Sequence, residues 1–435
     1  MEQEQTTPNW IVTPYAGLQV NSTAISDDGA HLITGTSAEY DSSDNFAVYY
    51  YTTDGTTATE VWHDPLGDNI QQGVFWVAIS GDGNYGAAGG QYGSGKGFLR
   101  TYHMPDGVNS KQEFSYTSRI NEVEIAADGS AMVAVESANI QFFTLGSSGY
   151  SQAETKEISG AYMRSCGITP NGQYLVAGGE VYSDDSEPVE AKRHRESASS
   201  STGVLYLYEN QNGSLNYLGH YEADSGILRV VISRDGNYFA ASTKTGQVML
   251  FANPITLQDK LFPLWIYTNT DYQLGLSYAL AICNTPEGNL YVASGGNFVG
   301  GSDSANDSDN DYGYAYMLQN TIDSYNNNVP KRLWIYQLQY CPNPGMNMDA
   351  YGKFVTSADG QPIFNDSESD APPAETPGNF YLFNAQTGYL YWKYGTSLMN
   401  WPMVINTGGY AVFAGSDNGS VYYWSPLNLL EESED

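Results

Sequence analysis

Four carboxylates crowd into one short stretch: Asp303, Asp307, Asp309 and Asp311. Calcium takes six to eight oxygen ligands from flexible loops, and acids at alternate positions can supply them. The run Asp307 to Gly313 resembles a calcium loop in its alternation. It departs from the helix–loop–helix calcium pattern, because its glycine falls one residue late and no Glu stands at the twelfth position. The expected chemistry is calcium binding, set against a solvated acidic loop. A second acidic stretch, with Asp366, Glu368 and Asp370, is interrupted by prolines and is the weaker candidate.

Other arrangements fail on spacing or context. Gly90, Gly95 and Lys96 stand at phosphate-loop spacing, but Gly97 replaces the magnesium-binding Ser or Thr. A strand follows where a phosphate loop needs a helix. The five histidines are scattered and form no pair at zinc-ligand spacing. No nucleophile elbow occurs. Three cysteines, Cys166, Cys283 and Cys341, are too few for a disulfide framework. No catalytic residue is assigned, and no cofactor is required beyond the candidate calcium.

What positions these residues is a repeat. A short apolar strand, a turn ending in glycine and a second apolar strand recur at 23–36, 77–90, 123–137, 166–179, 230–243, 280–296, 346–358 and 403–416. The turn glycines are Gly29, Gly83, Gly129, Gly172, Gly236, Gly288, Gly352 and Gly409, spaced 43 to 64 residues apart. Asp-Gly and Asn-Gly tolerate positive φ and so suit tight hairpins. A third strand follows each pair, as at 47–52 and 97–102, and several fourth strands carry Trp, at 60–63, 264–267, 333–336 and 390–393. Four strands per repeat at this spacing predict a β-propeller.

The fold class expected is all-β: an eight-bladed β-propeller with four antiparallel strands per blade. The eighth repeat lacks its fourth strand, and the segment Asn9–Thr13 has no repeat of its own. Placing it in blade 8 closes the ring and removes an open sheet edge. The expected organisation is a tail at 1–8, one propeller over 9–427 with 9–14 as the closing strand of blade 8, and an acidic tail at 428–435. The run Asn379–Gly395, with its Thr-Gly turn and Trp strand, resembles quinoprotein-type repeats. The Ser/Thr-x-Asp-Gly turns resemble WD-type repeats. Both resemblances imply a propeller. The chain has no Trp-Asp dipeptide and no adjacent cysteines, so the resemblance brings no quinone site.

Long polar inserts fall between the second and third strands at 38–45, 91–96, 180–202, 297–312 and 358–377. In a propeller these links share one face, and function usually sits in such loops. Trp76 and Trp401 precede inner strands, on links that emerge at the same face, and could line a ligand funnel. With Asp184, Asp185, Asp366 and Glu368 they form the expected partner or ligand face. The other six Trp are expected in packing between strands.

Formal net charge is -32, from 49 acidic and 17 basic residues. Nucleic acid is excluded as a partner, because phosphate binding needs clustered Lys and Arg. No run of 18 apolar residues exists, so no membrane insertion is expected. The expected function is a non-enzymatic scaffold presenting acidic loops to a protein partner, at a cell surface or in a larger assembly. The alternative is an enzyme or small-ligand binder with a site at the central channel, assisted by calcium. The chain is expected as a monomer or as a subunit of a hetero-assembly. Its compartment is extracellular or periplasmic if Met1 begins a mature secreted chain, and otherwise cytoplasmic.

Overall fold

A computed structural model of the chain describes residues 7–68, 70–93, 95–182, 201–272, 274–298, 312–342, 345–361 and 377–425. The regular structure of the described residues is β throughout, apart from one short 3-10 helix at Met104–Ser110. No helix among them is long and apolar enough to cross a membrane. Five of the sheets are antiparallel and four-stranded, one has five strands, and the first two repeats are joined into one eight-stranded sheet, an architecture consistent with a β-propeller.

The sheet Ala161–Ile168, Tyr174–Tyr182, Ser201–Gln211 and Ser214–Ala223 shows the unit. Its first three strands are mostly buried and its fourth is half-exposed. That gradient explains the residue types: runs such as Leu175–Ala177 in the middle, alternating polar residues at the rim. The turn glycines between first and second strands all have positive φ, for example 68° at Gly29 and 72° at Gly83. A β-carbon at Gly83 would also lie 2.5 Å from the His31 ring, so the turn packs tightly on its neighbour. Most buried clusters are shared by repeats adjacent in the chain, as where Leu205 and Leu207 meet Phe239 and Phe251.

Residues from the two ends of the chain share one sheet. Trp10–Val12 pairs antiparallel with Val421–Trp424, Trp10 opposite Tyr423. The Trp10 ring stacks on Tyr423 at 5.0 Å, and its Nε1 donates to Thr53 Oγ1 at 3.1 Å. The six Trp expected in packing sit there: Trp10, Trp265, Trp334, Trp392 and Trp424 are buried and Trp62 is partly buried.

Two inserts differ from expectation. Residues 38–45 are not a free loop: the strand His31–Ser43 continues through most of them and pairs with Ile70–Gly73. Residues 91–93 and 96 lie in paired strands of a close hairpin, Tyr85–Gly93 and Lys96–His103, with Gly93 opposite Lys96. In both, neighbouring backbone absorbs the polar groups that a surface loop would leave to water. Beside this hairpin a buried ion cluster joins the first two repeats. Asp64 accepts from Arg100 Nη1 at 2.7 Å, Lys111 Nζ at 3.0 Å and Tyr102 Oη at 2.8 Å. It is fully paired and structural.

Candidate functional site

The first strands of six repeats share an irregularity, whereas Ala279–Asn284 and Asn347–Met348 pair without one. In Ile70–Ile79, pairing with the second strand skips Phe75 between Val74 and Trp76. In Ile120–Ile125 it skips Asn121, in Ala161–Ile168 Arg164, and in Ile227–Ile232 Leu228. The skips in Gln19–Ile25 and Asn400–Ile405 span Asn21 and Trp401. A bulge leaves one residue outside the ladder and re-aims its side chain.

All six of these residues line one cavity of about 100 Å³. Trp76, Glu122 and Arg229, each one position further on, line it too, as do Arg119, Tyr162 and Tyr278. First strands from separate sheets therefore converge on a common space, near the strand ends away from the glycine turns.

The lining is built of stacked cations. The Arg119 guanidinium lies 3.6 Å from the Phe75 ring centre, Arg229 lies 4.5 Å from Trp76 and Arg164 lies 5.1 Å from Tyr162. Such stacking holds a guanidinium plane in place. Acids in the lining and behind it fix the arginines further. Arg229 Nη1 donates to Glu122 Oε2 at 2.9 Å, and Arg164 Nε donates to Glu180 Oε1 at 2.7 Å. Lys244 Nζ stands 2.7 Å from the other Glu180 oxygen, so one carboxylate serves two cations. Asn121 bridges neighbours: its Nδ2 donates to the Met163 carbonyl at 2.7 Å and its Oδ1 accepts from Tyr162 Oη at 2.9 Å. The Trp401 indole N–H donates to Asp417.

Burial sets the protonation of the acids. Glu180 is fully buried, which alone would raise its pKa, but Arg164 and Lys244 hold it down to about 2. Burial pushes Glu122, which is almost fully enclosed, and Glu124, which is partly enclosed, above the usual carboxylate range. Glu124 rises further because Glu122 is negative, against the opposing pull of Arg229 and a hydrogen bond from Trp76. Burial also pushes the Cys166 thiol well up, which suits an inert core cysteine.

Two sequence candidates, Trp76 and Trp401, are brought together on this cavity. They sit inside the first strands, at or beside bulges, rather than on links preceding them. Asp184, Asp185, Asp303, Asp307, Asp309, Asp311, Asp366 and Glu368 lie outside the described residues, and the calcium loop with them. Among the described residues no group of three or more His, Cys, Asp or Glu could hold a metal. Sequence reasoning missed Asn21, Arg119, Asn121, Glu122, Arg164 and Arg229. A signal was present: three of only 17 basic residues fall at the start of apolar first strands. The chain matches no protein-family model, and no curated protein is significantly similar to it.

Proposed function

We propose that this chain is a binding module: an eight-bladed β-propeller that holds a small molecule at its axis. Support for the ring comes from packing. Eight buried clusters are each shared by neighbouring repeats, and one joins Trp10, Val20 and Tyr49 to Phe413 and Tyr423. The glycine turns also link sideways: Asp27 N donates to the Gly81 carbonyl, Gly81 N to Ala127, and Asn406 Nδ2 to Asp27.

The observation that carries the binding reading is the convergence of six bulged residues on one cavity. Bulges cost ladder hydrogen bonds, so repeating them at one position in successive sheets favours a role for the displaced side chains. Concave sites with aromatic walls and a few fixed polar groups are where small ligands bind.

The test is a thermal-shift screen with small acids, amines, polyols and aromatic compounds. At least one class should raise the melting temperature of the wild type and fail to do so for Leu228→Phe, which fills the cavity. A screen in which no compound distinguishes the two proteins sinks the axial reading.

Partner docking through the inserts is the second reading. The described strands stop at Tyr182 and resume at Ser201, at the same sheet end as the cavity residues. Pull-down with protein lacking 183–200 should lose any partner that the intact chain retains.

A further inference from the structure

Resting on the axial-binding reading, we infer that the occupant is a small hydroxylated carboxylate, its acid group on the arginines and a hydroxyl on Asn21. Charge gives the first argument. Three arginines line the cavity against one carboxylate, Glu122. They come from a chain with 17 basic residues and net charge -32. Placing scarce cations on one internal surface of an acidic protein makes that surface selective for anions.

The aromatic walls point the same way. A cage of rings would suit a cationic ligand if its faces were free. Here Arg119 covers Phe75, Arg229 covers Trp76 and Arg164 covers Tyr162. An ammonium group would meet guanidinium groups where it needs ring faces. An anion would meet N–H donors whose planes are already fixed, the geometry that arginine uses for carboxylates.

Hydrogen bonding supplies the hydroxyl. The Asn21 side chain is only 3% exposed, lines the cavity, and its Oδ1 has no partner among the described residues. The Arg229 Nε–H likewise has none. A buried polar atom left unpaired is costly, and both atoms, closed to a water-sized sphere beside the cavity, gain a partner if the lining shifts slightly to admit an occupant. The first needs a donor and the second an acceptor. A carboxylate has acceptors only, so the donor belongs to a second group of the ligand, and a hydroxyl supplies one without the positive charge that the arginines would repel. The volume of about 100 Å³ limits the buried part to a few heavy atoms.

The experiment compares five probes by calorimetry: glycerate, propionate, glycerol, ethanolamine and inorganic phosphate. Glycerate should bind best, propionate about tenfold more weakly for want of the hydroxyl, and glycerol and ethanolamine not measurably. Asn21→Leu should reduce glycerate binding to the level of propionate and leave propionate unchanged. Arg119→Gln should weaken both acids about tenfold or more. Melting temperatures without probe show that each variant is folded. Ethanolamine or glycerol matching glycerate, with binding blocked by Leu228→Phe, overturns the anion inference and leaves the axial site standing. Phosphate surpassing glycerate overturns the carboxylate, and silence from all five overturns the inference. Only a failed wider screen removes the axial reading as well.

Discussion

Arg234 and Asp27 are 207 positions apart in the chain, yet Arg234 Nη2 donates to Asp27 Oδ2 at 2.8 Å. Each sits in the glycine turn of its own repeat. Arg234 Nη1 also donates to Thr407 Oγ1 at 2.9 Å, in a third turn. In the proposed ring this contact spans the turn face, opposite the cavity mouth. Burial raises the Asp27 pKa, but hydrogen bonds from Arg234 and Thr407 and the Arg234 charge bring it below the usual value. Both partners are about two-fifths exposed, so the pair is worth little in water. Asp27→Asn should therefore lower stability by no more than about 1 kcal/mol at low salt. Denaturant titrations at low and high salt check this. A loss that survives high salt unchanged would show that the charge pair is not its source.

The terminal strand carries more energy than that bridge. Trp10 is buried, stacked on Tyr423, and bonded to Thr53 in the first repeat. Trp10→Ala removes a large side chain from a shared core, at a cost of about 3 to 5 kcal/mol. The midpoint of chemical unfolding should fall accordingly. Deleting residues 1–14 should do more, because it also strips the hydrogen bonds of Val421–Trp424 and exposes a sheet edge. Light scattering of the truncated protein should rise with concentration. A truncated chain that stays monomeric and equally stable would remove the closing role of this strand.

How far the sequence could be read depended on whether a feature is local. Gly29, Gly83 and their equivalents announce themselves, because positive φ in a tight turn narrows the choice of residue. The Trp strands are equally plain, since β-branched and aromatic runs mark half-buried strands. The bulges were hidden. Skipping Phe75 or Asn121 is a one-residue matter of register, decided by how two strands settle together. Nothing in the run from Val74 to Ile79 says which residue leaves the ladder. Trp76 and Trp401 were recognised as candidates, but their placement on links missed this. The role of Arg229 was further out of reach, because Trp76 and Glu122, its contacts, come from two other sheets. Polar residues 38–45 read as loop because composition signals solvent, whereas their backbone extends a strand.

Glu180 is held by Arg164 and Lys244, with no surface exposed. Its pKa in the fold is about 2, against an ordinary value of 4.5. A depressed carboxylate stabilises the fold above its unfolded pKa, and that contribution is lost as pH falls from about 4.5 towards 2. The shift corresponds to about 3 kcal/mol at neutral pH. Glu180→Gln should destabilise by about 3 to 5 kcal/mol at pH 7, since it leaves two buried cations facing a neutral amide. The gap between the two proteins should close in acid, where the wild type also loses the charge. Urea midpoints over an acid pH series give the answer, and a gap of constant size would refute the assignment.

Glu124 bears the opposite sign. Burial and the neighbouring Glu122 charge raise its pKa, so the fold binds a proton that the unfolded chain releases. A raised carboxyl contributes stability below its unfolded pKa and loses it as pH climbs through the folded value. Glu124→Gln mimics the protonated form at every pH. The variant should match the wild type in mild acid and become the more stable of the two as pH rises past neutrality. The same proton bears on the cavity. While Glu124 is neutral, Glu122 is the acid ion-paired to Arg229, and the arginine is less neutralised. Anion binding should therefore weaken as pH rises in the wild type and change less in Glu124→Gln. Calorimetric titrations with glycerate at several pH values, in both proteins, read this out. Parallel pH dependence in the two would place the titrating group elsewhere.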